Sequence, residues 1–143
     1  MKENLKLRIY LAGWSGESEY RRYTKEKYNE NFDLVDPMTI TRNQVLEKIG
    51  MNCYETFIVM RDKKLILSCD ILVAYITRTS FGTIFEMGYA YEHGIPIYVI
   101  DPNKQFRNEP WLSFHTKYFF NSIDDCFNYL GEIVDTQLCL KNI

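Results

Sequence analysis

"TSFGTIFEMGYAYEHGIPIYVI", residues 79–100, is the stretch on which the fold turns. The segment "TIFEMGYAYEHG" predicts a helix that stops at Gly94, because glycine adopts the left-handed conformation that ends helices. The following "IPIYVID" is apolar without interruption, which predicts a strand buried on both faces rather than one with a wet side. A helix running directly into such a strand is one unit of an alternating α/β chain. At its mouth the same stretch brings together Ser80, Gly82 and Glu86.

The neighbouring segments repeat the alternation. "LRIYLAG" (7–13) predicts a first strand ending at a turn, "ESEYRRYTKEKYNE" an amphipathic helix, and "FDLVDP" a short strand. The span from Thr39 to Ile58 predicts a short helix and a loop. From Tyr54 to Cys69 the apolar spacing predicts a helix, followed by the strand "DILVAYI". Beyond "IPIYVID", "PNKQFRNEP" predicts a loop, "KYFFN" a last strand, and "SIDDCFNYLGEIVDTQL" a terminal helix opened by a Ser cap. Alternating helices and wholly apolar strands predict an α/β fold with a parallel sheet covered on both faces. Ligands of such folds bind beyond the carboxyl ends of the strands, and residues 79–86 lie on that edge.

Length and composition fit one domain, 1–143, able to bury its own core. Apolar residues make up 46% and aromatics 15%, far from a disordered composition. A net charge of −2 with scattered Lys and Arg lacks the basic stripe that nucleic acid requires. Cys53, Cys69, Cys126 and Cys139 are far apart and only two His accompany them, so no metal site is expected and buried free thiols in a reducing cytosol are. No apolar run spans a membrane and the N-terminus enters a strand pattern directly, so a cytoplasmic protein is expected.

Glu86 admits two readings. Thr83-Ile-Phe-Glu86 matches the T-x-x-E capping box, in which the Glu satisfies a helix N-terminal donor. The same placement also sets a carboxylate in a first helical turn at the strand edge, ionised by the helix dipole and available as a nucleophile. Gly82 allows a close turn there and Ser80 adds a hydroxyl; each is also an ordinary loop residue. Asp70 reads as a loop cap before "ILVAY", and Asp62 as a charge near the start of a helix "DKKLILSC". His93 reads as a C-terminal cap of its helix.

Taken in order, "IYLAG", "FDLVDP", Asp62 with "LILSCDILVAY", and "SFGTIFEMGYAYEHGIPIYVI" resemble the nucleoside 2-deoxyribosyltransferase family and the related deoxynucleoside 5'-monophosphate N-glycosidases. The resemblance implies a flavodoxin-like (Rossmann-like) three-layer fold with a five-stranded parallel sheet. It implies an enzyme that cleaves the N-glycosidic bond of 2'-deoxynucleosides without metal or organic cofactor, and a homodimer or higher homo-oligomer. Its partners would be a nucleoside or nucleotide and a free nucleobase. Carried over by position, Glu86 in the G-x-x-x-E segment from Gly82 would attack C1' of the sugar and hold it as an ester. Asp62 would contact the sugar hydroxyl, and Tyr10 and Gly13 would line the pocket.

At position 80 the nucleoside transferases tend to carry Asp, which repels phosphate, and the monophosphate hydrolases Ser, a neutral phosphate donor; this chain has Ser80. "LSFH" likewise resembles a hydrolase segment reaching a neighbouring subunit's phosphate site, which would make Ser113 a donor in trans. In contrast, "GWSGES" places Trp14 where the hydrolases carry Ser, and Arg21 and Arg22 are either a charge supply or solvated helix residues. Trp14 itself is either a stacking platform for the base or a core or interface aromatic. Three readings follow: a deoxyribosyltransferase, a 5'-monophosphate N-glycosidase using the same Glu86, and a noncatalytic nucleotide-binding module in which Glu86 only caps a helix. "WLSFHTKYFF" is a candidate subunit contact or the last part of the core.

Overall fold

The strand segments predicted from continuous apolar runs pair into one sheet. In the computed structural model, which describes residues 6–39 and 42–141, the strands are β1 (Arg8–Gly13), β2 (Asp33–Val35), β3 (Ile71–Tyr75), β4 (Ile97–Ile100) and β5 (Tyr118–Phe120). All pairings are parallel, in the order β2-β1-β3-β4-β5. This is the flavodoxin-like order expected from the sequence.

Side chains alternate across this sheet with period two, so each face has its own core. Tyr10, Ala12, Leu72, Ala74, Ile97 and Val99 point to one face. There they meet Ile66 of α3 (Met51–Leu67), Met87 and Ala90 of α4 (Phe81–Glu92) and Leu112 of α5 (Pro110–His115). Ile9, Leu11, Ile71, Val73, Tyr98 and Ile100 point to the other. They are covered by Tyr20 and Tyr28 of α1 (Ser18–Tyr28) and by Cys126, Phe127 and Leu130 of α6 (Ile123–Lys141). Phe127 stacks on Tyr28 with ring centroids 4.9 Å apart and meets Phe32 edge-on, which docks α6 against α1. Asp70 pins β1 laterally: its carboxylate accepts from the Arg8 amide at 2.9 Å.

Several boundaries differ from the sequence expectation. The span after Pro37 holds a 3-10 turn (Pro37–Thr39) and two helices, α2 (Arg42–Ile49) and α3, divided at Gly50, whose φ of 71° only glycine adopts cheaply. Positions 40 and 41 lie outside the described residues. Because α3 begins at Met51, Asp62 lies well past its middle, and a dipole role near a helix start is ruled out. The aromatic run at 111–115 forms a helix, α5, begun by Pro110 at its first position and by Glu109, whose carboxylate accepts from the Leu112 amide at 2.7 Å. Gly94 stops α4 as expected, with φ 73°, and His93 caps it, its Nδ1 2.8 Å from the Tyr89 carbonyl. Cys69 and Cys126 are buried free thiols, but Cys53 is exposed on α3, and the Cys139 side chain lies outside the described residues.

Candidate active site

At the carboxyl ends of β1 and β3, where the connections leave in opposite directions, a cavity of about 960 Å³ opens. The β1–α1 loop contributes Trp14, the β3–α4 loop Arg78, Thr79 and Ser80, and α4 Gly82 and Glu86. Asp62 enters from α3, and Trp111, Leu112 and His115 from α5. This is the crevice at the topological switch point that open parallel sheets offer to ligands.

Glu86 is in the second turn of α4, because the helix begins at Phe81 with Ser80 as its cap residue. The capping-box reading therefore fails: Thr83 is inside the helix, and its hydroxyl donates to Ser80 Oγ at 3.1 Å instead of to a carboxylate. Nor is Glu86 held ionised by the dipole. Burial raises its pKa to about 8, with the nearby Asp62 charge adding to the rise and Tyr10, Arg21 and Arg61 opposing it. Tyr10 lies beneath, fully buried on β1, its hydroxyl near Glu86 but without a well-formed partner. Burial, together with the Glu86 and Asp62 charges, pushes the Tyr10 phenol far up, so it stays a protonated donor facing the carboxylate.

Asp62 is held by Arg61, whose Nε and Nη2 donate to the same carboxylate oxygen at 3.0 and 2.7 Å. Burial raises the Asp62 pKa and Arg61 partly restores it. Arg61 Nη1 is buried without a partner. Arg61 is a site residue that sequence reasoning misses, although the dipeptide Arg61-Asp62 is the available sign of a paired carboxylate.

The remaining expected residues are placed unequally. Ser80 and Gly82 line the cavity; Gly82 has an ordinary helical φ and a Cβ there meets nothing, so its smallness leaves room and does not serve a turn. Gly13 does not line the cavity: its carbonyl accepts from Arg21 Nη2 at 2.7 Å, and a Cβ would stand 3.2 Å from the Tyr75 carbonyl. Ser113 is exposed on α5, outside the cavity. Arg21 is not solvated; it is buried, ties down the β1–α1 loop through the Gly13 and Trp14 carbonyls, and lies 3.5 Å from Asp36. Arg22, by contrast, is a surface residue paired with Glu19 and Glu26. Trp14 lines the cavity with the Arg78 guanidinium 4.0 Å over its ring and Gly16 against its six-membered edge. One of its faces is thus already covered by a cation.

Among the described residues no three His, Cys, Asp or Glu side chains converge as metal ligands, and no helix is long and apolar enough to cross a membrane. Sheet order and crevice define a doubly wound α/β protein with a carboxylate-bearing pocket at its switch point. The chain belongs to the nucleoside 2-deoxyribosyltransferase family, whose sequence model matches residues 9–130. Its fold is similar to that of a 2-deoxyribosyltransferase from Bacillus psychrosaccharolyticus, at 22% identity and TM-score 0.68 over 85% of this chain and 91% of that one. It is equally similar to a conserved protein from Enterococcus faecalis V583, at 20% identity and TM-score 0.68 over 92% and 99%. The Clostridium botulinum CMP N-glycosidase BcmB aligns at 15% identity and TM-score 0.55 over 86% and 97%. No curated protein matches the sequence significantly.

Proposed function

We propose that this chain, acting as one domain, cleaves the N-glycosidic bond of 2'-deoxynucleosides through Glu86 and transfers the deoxyribosyl group to a second base. The observation that carries this is the Glu86 carboxylate, opening into the cavity beside Asp62 and above the Tyr10 hydroxyl. One Glu86 oxygen bonds to C1' as the bond from C1' to the base nitrogen breaks. The electron pair leaves with the base, which takes up a proton. A fixed carboxylate against the developing positive charge on the sugar lowers the barrier, as in retaining glycosidases. Asp62, oriented by Arg61, contacts the sugar hydroxyl. A nitrogen of the incoming base then attacks C1', gives up its proton in place of the one the first base took, breaks the ester and restores the Glu86 carboxylate.

A second reading is favoured by Ser80 on the cavity wall: hydrolysis of a deoxynucleoside 5'-monophosphate, with water in place of the second base and the Ser80 hydroxyl toward the phosphate. Chromatography of the protein with deoxynucleosides and with their 5'-monophosphates, each with and without a second free base, separates the two. A new nucleoside formed only when the second base is added supports transfer. Free base released from monophosphates alone moves the protein to hydrolysis. Absence of both with retained binding leaves a noncatalytic nucleotide-binding module. Ser80→Asp is expected to select against monophosphates by charge repulsion, at least tenfold in kcat/KM relative to nucleosides. Equal handling of both substrates by that variant would remove Ser80 from the phosphate's surroundings.

We also propose that the protein is a homodimer or higher homo-oligomer. Phe81 and Phe85 of α4 and Trp111 and Phe114 of α5 are 68–82% exposed on the side where the cavity opens, four large apolar side chains of the kind that mark interaction surfaces. Sedimentation equilibrium is expected to give a multiple of the 17.1 kDa chain mass, and Trp111→Glu with Phe85→Glu to give the monomer.

A further inference from the structure

We propose that Arg78, set over the Trp14 ring at the cavity wall, is the residue that recognises an oxyanion on the substrate. The inference rests on the reading of the cavity as a nucleoside or nucleotide site and names a group that the site's carboxylates do not supply. The guanidinium carbon is 4.0 Å from the Trp14 ring centroid, and both residues line the cavity. Among the described residues no carboxylate or carbonyl takes a hydrogen bond from Arg78. Glu17, which precedes α1, is engaged with the hydroxyl of Thr77, the residue before Arg78.

A planar guanidinium stacked on an aromatic ring keeps its face covered and its edge of N–H donors free, the arrangement suited to a bidentate oxyanion. The platform is itself built. Arg21, buried in α1, holds the Trp14 carbonyl at 3.0 Å. Gly16 is the residue that leaves room for the indole, because a Cβ at 16 would overlap its ring.

The other charges of the cavity leave Arg78 uncompensated. Asp62 is paired with Arg61, Glu109 caps α5 through the Leu112 amide, burial raises the Glu86 pKa to about 8, and Glu92 ends α4, about 16 Å of helix rise from the start of that helix beside Arg78. The cavity's lysine, Lys63 of α3, lies 5.1 Å over the Tyr89 ring of α4 and is adjacent to Asp62 in sequence, whereas Arg78 is two residues from Ser80. From Ser80 to Glu86 the helix rises about 9 Å, so an anion held at the β3–α4 loop is set off from the reacting carbon along α4. A phosphate on the sugar's 5' position meets that requirement, and a carboxylate on the base is the other source of the same chemistry.

The test measures binding by calorimetry in the Glu86→Gln background, so that nothing is consumed. Its ligands are a deoxynucleoside, its 5'-monophosphate, and an unphosphorylated nucleoside with a carboxylated base. A preference for one of the two anionic ligands over the neutral one is expected, and the preferred ligand identifies the source. Arg78→Gln is expected to reduce that preference roughly 10- to 100-fold, the usual worth of a charge-assisted pair. Arg78→Lys should restore only part of it, and Trp14→Leu, which removes the platform but keeps the charge, should behave like Arg78→Lys. No preference in the parent protein, or a preference untouched by Arg78→Gln, overturns the proposal. Absence of turnover in the wild type with an Arg78-dependent preference would instead overturn the catalytic reading and leave this one standing.

Discussion

Glu86→Gln is expected to reduce turnover by about four orders of magnitude or more, as loss of a covalent nucleophile does, while the protein stays folded. The substitution conserves shape and hydrogen-bonding capacity, and Glu86 belongs to neither of the two hydrophobic cores. A stability measurement separates chemistry from folding. The carboxyl has a pKa near 4.5 when solvated and about 8 in the folded protein, so the folded state binds the extra proton between those values. Its stabilising contribution is therefore complete below about pH 4.5 and is lost as pH rises through about 8. Wild type should lose stability to urea across that window, and Glu86→Gln should lack this component and be relatively more stable at pH 9. A Gln variant that retains wild-type turnover would remove covalent catalysis by this residue.

How far the sequence revealed this arrangement differs from element to element. The strands were readable because "IYLAG", "ILVAY" and "IPIYVI" are apolar without a break, and only burial on both faces of a sheet demands that. The flavodoxin-like order came from the family resemblance, because local pattern does not choose among parallel orders. α5 escaped notice because six residues carry too little periodicity; its signal was the pair Glu109-Pro110, a cap and a first-position proline. Asp62 reads as lying near a helix start when "DKKLILSC" is taken by itself; the helix in fact runs unbroken from Met51, just after the break at Gly50.

For the candidate site, type and place were readable while environment was not. Glu86 stood out by its spacing from Gly82 and Ser80, but spacing cannot separate a first-turn cap from a second-turn carboxyl over a buried tyrosine. That distinction depends on where the helix begins, at Phe81 rather than after Thr83. In the sequence Arg21 reads as either a charge supply or a solvated helix residue, because nothing local shows that the loop carbonyls of Gly13 and Trp14 converge on it. Arg78 sat unremarked in "TRTS", since its significance comes from a tryptophan 64 residues earlier in the chain.

The electrostatics of Glu86 also predict an unusual pH–rate profile. An attacking carboxylate must be ionised, and in the free protein this one loses its proton only near pH 8. The limb of kcat/KM reports the free protein, so the rate should rise about tenfold per pH unit from acid solution and level off above about pH 8. Two substitutions should move the limb in opposite directions. Asp62→Asn removes the neighbouring charge that raises the Glu86 pKa and leaves Arg61 without its partner, so the limb should shift toward lower pH. Tyr10→Phe removes the hydroxyl that steadies the anion, so the limb should shift toward higher pH. The opposed displacements matter more than either alone, because a general loss of structure would lower the plateau without moving the limb both ways. A wild-type limb in the ordinary carboxylate range near pH 4.5 would show that bulk water reaches Glu86. The dry contact between the carboxylate and the sugar's developing charge would then lose its physical basis.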